Sequence, residues 1–246
     1  MDRGFFLNGE WQMRTSADRF DILNPATGEA EGSTLMADGA VVDEAVGHAE
    51  RVAREFADMP ADARATILNK TADLMEQRVD EMSRLLTREQ GKPVYDNTKE
   101  ILFGAEVLRY YAAEAVRMHG SLRVSASPHI KNIVSYHPVG VTAAIVPWNY
   151  PIDLYCWKIG PAIATGCPMI VKPPHETPLA ITMLVDCLHE AGVPAGALAD
   201  LPGLGPVAGS ALARHPRIRM ISATASIAAG QDIIRNAAGN LKRVSL

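Results

Sequence analysis

The chain has 246 residues, 48% of them apolar, which is enough to bury a substantial core and excludes a disordered or fibrous protein. Its 24 basic and 28 acidic residues give a net charge of −4, so no overall positive field exists to hold a phosphate backbone or an anionic lipid surface, and neither nucleic acid nor membrane is expected as a partner. Cys156, Cys167 and Cys187 each sit in apolar sequence without CxxC spacing, which predicts buried, reduced thiols and no disulfide or metal site. The apolar run near the start, Phe5 to Leu7, is too short for a signal peptide or a membrane span, and the protein reads as cytoplasmic.

The first segments, FFLNGEW and DILNPATGE, alternate apolar and polar residues around turn formers, predicting short strands with a turn at Asn24-Pro25 and Thr27-Gly28. Helical spacing takes over in Val42, Val46, Ala49, Ala53 and Phe56. Ile67, Leu68, Leu74, Met75, Met82, Leu85 and Leu86 predict a second helix, ended by Gly91-Lys92-Pro93. A third is expected from about Asn97 to Met118 on the stripe Ile101, Ala105, Leu108, Tyr111 and Ala115, stopped by Gly120. Leu122 to Tyr136 then reads as two strands with a loop at Ser125 to Pro128.

From Val139 short apolar runs alternate with helices: VGVTAAIV and a helix from Ile152, PMIVK and a helix from Leu179, ALADLPG and a helix from Val207, RMISAT and a helix from Ala228. Runs without polar alternation are what strands buried on both faces require, so this is an α/β fold with a Rossmann-like parallel sheet and flanking helices. Lys242 to Leu246 reads as the start of a further strand. Ligands of such sheets bind beyond the carboxyl ends of the strands, so the residues after each run are the candidates.

After the first run, two prolines stiffen Pro147-Trp148-Asn149-Tyr150-Pro151; Asn149 has a neutral carboxamide suited to an oxyanion, and capping of the following helix is the plainer alternative. After the second come Lys172, Pro173, Pro174, His175, Glu176 and Thr177: a lysine placed to reach ribose or phosphate oxygens, or a surface lysine, with Glu176 and Thr177 able to serve as first-turn residues. Gly203, Gly205 and Gly209 after the third form a weak phosphate-loop pattern better read as a tight turn. Ser222 to Gly230 after the fourth opens a helix with hydroxyls and small residues, a plausible pyrophosphate seat.

In this order and spacing the pieces resemble the aldehyde dehydrogenase superfamily from end to end, through LNGEW, NPATGE, the start of the second helix at Arg64 to Leu68, EQGKP, PVGVTAAIVPWNYP, WKIGPAIATG, VKPPHETP and RHPRIRMIS leading into TASIAAG. The resemblance implies the N-terminal, cofactor-binding half of an NAD(P)-dependent enzyme that oxidises an aldehyde to a carboxylic acid and forms a homo-oligomer when intact. It divides the chain into N-terminal strands and helices over 1–120, a bridging hairpin over 121–137 that in family oligomers joins a neighbouring subunit's sheet, and an incomplete NAD(P)-binding region over 138–246. By position, Asn149 is implied to stabilise the oxyanion. Val146, Pro147, Trp148, Asn149, Lys172, Pro174, His175, Glu176, Gly205, Ser226 and Ala229 are implied to bind the cofactor, with Lys172 at the adenosine ribose and Ser226 near the pyrophosphate. Lys158 matches a lysine commonly retained on the helix after the asparagine, with a salt bridge as its plainer role.

Three departures qualify the match. His175, followed by Glu176, stands where many NAD-preferring members have a glutamate that binds both ribose hydroxyls, which leaves NADP open. Ala223 and Ala225 replace a phenylalanine and a glycine of the usual FTGS pattern. The resemblance also implies that the catalytic glutamate would follow directly after Leu246 in an ELGG segment, and the nucleophilic cysteine later still, so the 246 residues alone are expected to be inactive. A non-catalytic module that binds a dinucleotide or joins a partner through the hairpin is the alternative; an unstable remnant is a third reading.

Overall fold

The computed structural model describes residues 2–15 and 17–246. Five short strands, β1 (Asp2–Arg3), β2 (Phe5–Leu7), β3 (Glu10–Gln12), β4 (Arg19–Leu23) and β5 (Ala30–Leu35), lead into four helices, α1 (Gly39–Asp58), α2 (Ala61–Gln77), α3 (Val79–Gln90) and α4 (Val94–Arg117). A hairpin of β6 (Ser121–Val124) and β7 (Lys131–Val134) follows. The rest alternates: β8 (Thr142–Ile145), α5 (Pro151–Thr165), β9 (Met169–Lys172), α6 (Leu179–Ala191), β10 (Leu198–Asp200), a π-helical turn over Gly205–Gly209 running into α7 (Ser210–Arg214), β11 (Met220–Ala223), α8 (Ile227–Ala237) and β12 (Arg243–Ser245).

The main sheet has the order β12-β11-β8-β9-β10-β2-β3, with its first five strands parallel and the hairpin β2-β3 added antiparallel at one edge. The parallel sheet expected from the βα alternation is thus present, and the N-terminal segment extends it. Phe5, Phe6 and Leu7 are all buried, so the continuous FFL run was the mark of a strand covered on both faces.

Successive strand residues face opposite layers. Ala144, Met169 and Val171 pack against α2, α4, α5 and α6 through Leu68, Leu108, Tyr155 and Leu184. Ala143, Ile170 and Ile221 face α1, α7 and α8 through Val42, Val46, Leu212 and Ile233. A buried Ile170→Ala change in such a core costs about 2–5 kcal/mol.

Two helical boundaries differ from the pattern. The second predicted helix is two, α2 and α3, broken at Arg78, whose guanidinium reaches Glu190 and Cys187 on α6; both helices contact α6. Helix α4 begins at Val94, one turn before the expected start; Asn97, fully buried within it, donates to Thr87 Oγ1 of α3 at 3.0 Å and to the Lys92 carbonyl of the intervening loop at 3.2 Å. The hairpin β6-β7 pairs only with itself, and Leu122, Val124, Ile130 and Ile133 are exposed. Two strands alone are marginally stable in water.

Candidate functional site

The carboxyl ends of β8 and β9 are joined directly, Val146 donating its N–H to the Lys172 carbonyl at 3.1 Å. Beyond β8 the Trp148 and Asn149 side chains are exposed, while both carbonyls accept from Gln90 Nε2, at 2.8 and 2.9 Å. Lys92 Nζ lies 3.4 Å from the Asn149 carbonyl and forms an ion pair with Glu100. Glu100 is buried, and its Oε1 accepts the Ile152 N–H at 2.9 Å, so it caps α5 from a different helix. No side chain from the local sequence caps α5. The capping alternative for Asn149 therefore fails, and its carboxamide stands unused at the strand tip.

Lys172 ends β9. It is 5% exposed, and its Nζ donates to the Pro173 and Gly203 carbonyls at 2.7 and 3.1 Å. Burial pushes its ammonium down to about 8, against the pull of Glu176 and Asp200. The surface-lysine reading is thereby excluded. The loop then carries buried Pro174, half-buried His175 and exposed Glu176; His175 Nδ1 lies 3.1 Å from Glu176 Oε2, and its ring meets Phe20 edge-on at 5.0 Å.

Glu176 and Thr177 do not start α6. Its first amides, of Leu179 and Ala180, are taken by Glu89 at 2.7 and 2.8 Å. Burial raises the Glu89 carboxyl to about 8, the two amides pulling the other way.

Between these tips and α7 and α8 lies a cavity of about 480 Å³ whose walls include Ile145, Gly205, Gly209, Ala225 and Ala229. A side chain built on Gly209 would begin 3.5 Å from Ile145 Cδ1 and 3.8 Å from Lys172 Cδ, which puts Lys172 at its edge. Ser226 opens α8, its Oγ accepting the Ala229 N–H at 3.3 Å. The exposed, uncharged first turn of α8 is thus a seat for an anion, amides and helix dipole together. Of the residues named from the sequence, Gly205 and Ala229 line this cavity, with Lys172 at its edge and Ser226 next to the lining residue Ala225; Val146, Pro147, Trp148 and Asn149 stand on the neighbouring tip, outside the cavity wall, and Pro174, His175 and Glu176 on the loop leaving it.

A larger cavity of about 670 Å³ lies elsewhere, against Thr142, Met169, Met220 and Arg243, the first residues of β8, β9, β11 and β12. That is the amino end of the sheet, where no strand tip or helix start presents free amides, so size does not decide the site. Lys158 lines this cavity, half-buried, and forms none of the ion pairs found among the described residues.

Sequence reasoning missed the carboxylates that hold these parts. Glu89 and Glu100 fall in phase with the apolar stripes of their helices, a charge where the core should be, and that signal was available. Asp200, fully buried at the end of β10, accepts from Tyr155 Oη at 3.2 Å, while its Oδ2 has no partner. Burial pushes it up to about 7. All three cysteines are buried free thiols, as expected; burial raises Cys156 well above its ordinary value and Cys187 to about 11. None presents an exposed thiolate.

Residues 11–246 match the model of the aldehyde dehydrogenase family. Glutarate-semialdehyde dehydrogenase of Pseudomonas putida is 35% identical over 241 residues, 98% of this chain and 50% of that protein. Succinate-semialdehyde dehydrogenase (NADP+) of Escherichia coli is 35% identical over 240 residues, again 98% and 50%. The crystal structure of PnpE from Pseudomonas sp. WBC-3, also solved in complex with nicotinamide adenine dinucleotide, superposes with a TM-score of 0.95 at 32% identity, covering 99% of this chain and 50% of that one. The chain spans about half the length of the curated relatives it matches. It belongs to the aldehyde dehydrogenase family.

Proposed function

We propose that the strand-tip cavity binds NAD or NADP and that this chain is the cofactor-binding part of an oxidoreductase converting an aldehyde to a carboxylic acid. The observation that carries the reading is the meeting of Lys172, the Gly205–Gly209 turn and the open start of α8 around one cavity. Lys172 would hold the adenosine ribose by exchanging its two carbonyl partners for hydroxyls. The first amides of α8 would hold the pyrophosphate, and Gly205 and Gly209 leave space for the adenosine. When bound, the nicotinamide accepts hydride from the substrate carbon. Asn149 would donate its amide to the substrate's carbonyl oxygen, held in place by the Gln90 grip on its own carbonyl.

The covalent route that the family resemblance implies needs a cysteine thiolate to attack the aldehyde carbon and a base to activate the water that releases the acid. The three buried cysteines do not supply the first, so the 246 residues alone are expected not to turn over. The exposed apolar residues of β6-β7 support a role in joining a second subunit, and the unpaired thiols support a cytoplasmic setting. No helix among the described residues is long and apolar enough to cross a membrane.

A second reading, a dinucleotide-binding or oligomer-associating module without catalysis, is favoured by those same inert cysteines. Calorimetry with NAD and NADP, followed by a search for aldehyde-dependent NADH or NADPH production, tests the cofactor site and the expected lack of turnover. Saturable binding with no production fits both readings of this chain. Steady production would require Cys156, Cys167 or Cys187 as nucleophile, and absence of binding to folded protein would overturn the cofactor site.

A further inference from the structure

A third cavity, of about 400 Å³, lies among Arg3, Glu31, Arg78, Glu81, Arg88 and Asp186, and shares no wall residue with the cavity at the strand tips. It is closed by β1, β5, α3 with the residue before it, and α6. Three guanidinium groups from separate stretches of the chain thus line one space with three carboxylates, and buried Leu85 and Met183 give it an apolar part.

Formal charge in this wall cancels, but hydrogen-bonding capacity does not. Both oxygens of Asp186 are engaged, Oδ1 by the Trp11 indole at 2.6 Å and Oδ2 by Arg3 at 3.4 Å. Glu31 accepts from Asn24 Nδ2 at 2.9 Å and from Arg88 Nε at 3.1 Å. Arg78 is committed to α6, through Glu190 and the Cys187 sulfur. A guanidinium carries five N–H groups, so donors are left over. Arg3 Nε is buried and has no partner among the described residues, and Arg88 donates to them through Nε alone. A buried donor without an acceptor is costly, and an acceptor brought in from outside removes that cost. Of the wall carboxylates, only that of Glu81 has no partner among the described residues, and it is exposed.

We propose that this cavity binds a small hydroxylated organic phosphate, its phosphoryl group taken by Arg3 and Arg88 and a hydroxyl by Glu81. The site is separate from the dinucleotide cavity and does not rest on that reading.

Each part of that ligand answers to a part of the wall. A phosphoryl group brings about −1.5 to −2 charges at pH 7 and three acceptor oxygens, which guanidinium forks match in geometry. Inorganic phosphate alone would leave most of the space empty, whereas the volume lies in the range of small-molecule sites, about 300–1,000 Å³. The wall carboxylates decide what the remainder of the ligand carries. They repel further carboxylates and accept hydrogen bonds from hydroxyl groups, while Leu85 and Met183 face its carbon skeleton.

The test is calorimetry of the 246-residue protein with inorganic phosphate and with glycerol 3-phosphate at constant ionic strength, repeated on Arg3→Gln, Arg88→Gln, Glu81→Ala and Gly209→Val, with circular dichroism to confirm folding. Gly209→Val crowds the strand-tip cavity, where the open start of α8 is a competing seat for phosphate. The expected result is saturable binding, tighter for glycerol 3-phosphate than for inorganic phosphate, weakened about tenfold in each arginine variant and unchanged in Gly209→Val. Glu81→Ala, an exposed change that leaves the fold intact, should weaken glycerol 3-phosphate and spare inorganic phosphate. Native affinity in both arginine variants, a loss confined to Gly209→Val, or no saturable binding by the folded native protein would each overturn the proposal. Equal affinity for the two phosphates would overturn its organic part.

Discussion

Replacing Glu89 by alanine should cost about 3 kcal/mol. In the native structure this carboxylate, 4% exposed, is the acceptor for the Leu179 and Ala180 amides, both buried, at 2.7 and 2.8 Å. No side chain near α6 in sequence caps it, so truncation leaves two buried donors unsatisfied, at about 1–3 kcal/mol each. Partial entry of water into the gap keeps the sum at the lower end of that range. For a domain of this size the loss lowers Tm by roughly 6–12 °C. Urea denaturation of the purified variant measures it directly, as a fall in midpoint at unchanged slope. Because α6 begins where the Lys172 to Pro178 loop ends, nucleotide binding should weaken as well. A variant within 0.5 kcal/mol of the native protein would refute the argument, showing that the two amides find other acceptors when Glu89 is gone.

Lys172→Ala should weaken binding of whichever nucleotide the protein takes by about tenfold or more, the loss of one good hydrogen-bonded charge at roughly 1.4 kcal/mol per decade; unchanged affinity would misplace the adenosine pocket. At Gly209 the available gaps of 3.5 and 3.8 Å admit a methyl group, so Gly209→Ala should keep stability and binding while the bulk of Gly209→Val, pressed against Ile145 and Lys172 at the cavity wall, should weaken binding without unfolding, as read by calorimetry beside circular dichroism. Asp200 is raised by burial from 3.8 to about 7, so the folded state holds its proton more tightly than the unfolded chain. Its contribution is complete below pH 3.8 and is lost as pH rises to about 7; Asp200→Asn should flatten the fall in stability across that window, and an identical slope in both proteins would contradict the assignment.

The alternation of βα units was legible because strands buried on both faces cannot afford polar residues, and the runs TAAI, MIVK and MISA say so without help from the rest of the chain. Lys172 and the start of α8 were legible for a related reason, since the position after such a run is fixed by the fold. What local pattern did not carry was partnership over distance. Glu89 is 90 residues from the amide it caps, Glu100 is 52 residues from Ile152, and β2 joins a strand almost two hundred positions away; nothing in the spacing of either partner names the other. The break at Arg78 was hidden likewise, its guanidinium meeting Cys187 109 residues further along the chain. Asn149 shows the opposite error. A local rule suggested a cap, and the cap came from elsewhere.

The segment from Glu89 to Lys92 turns sharply at Gly91, where φ is +85° and a side chain would collide with Pro25 Cγ at 2.7 Å. Glu89 and Gln90, successive residues at the end of α3, hold the start of α6 and the turn beyond β8 respectively, and the reversal at Gly91 brings Lys92 back to that same turn. One four-residue segment thus holds both the turn beyond β8 and the end of the loop beyond β9. Changes at Gly91 or Pro25 should alter both loops together, so a search for specificity confined to residues within reach of a bound molecule would pass over the part that sets their spacing.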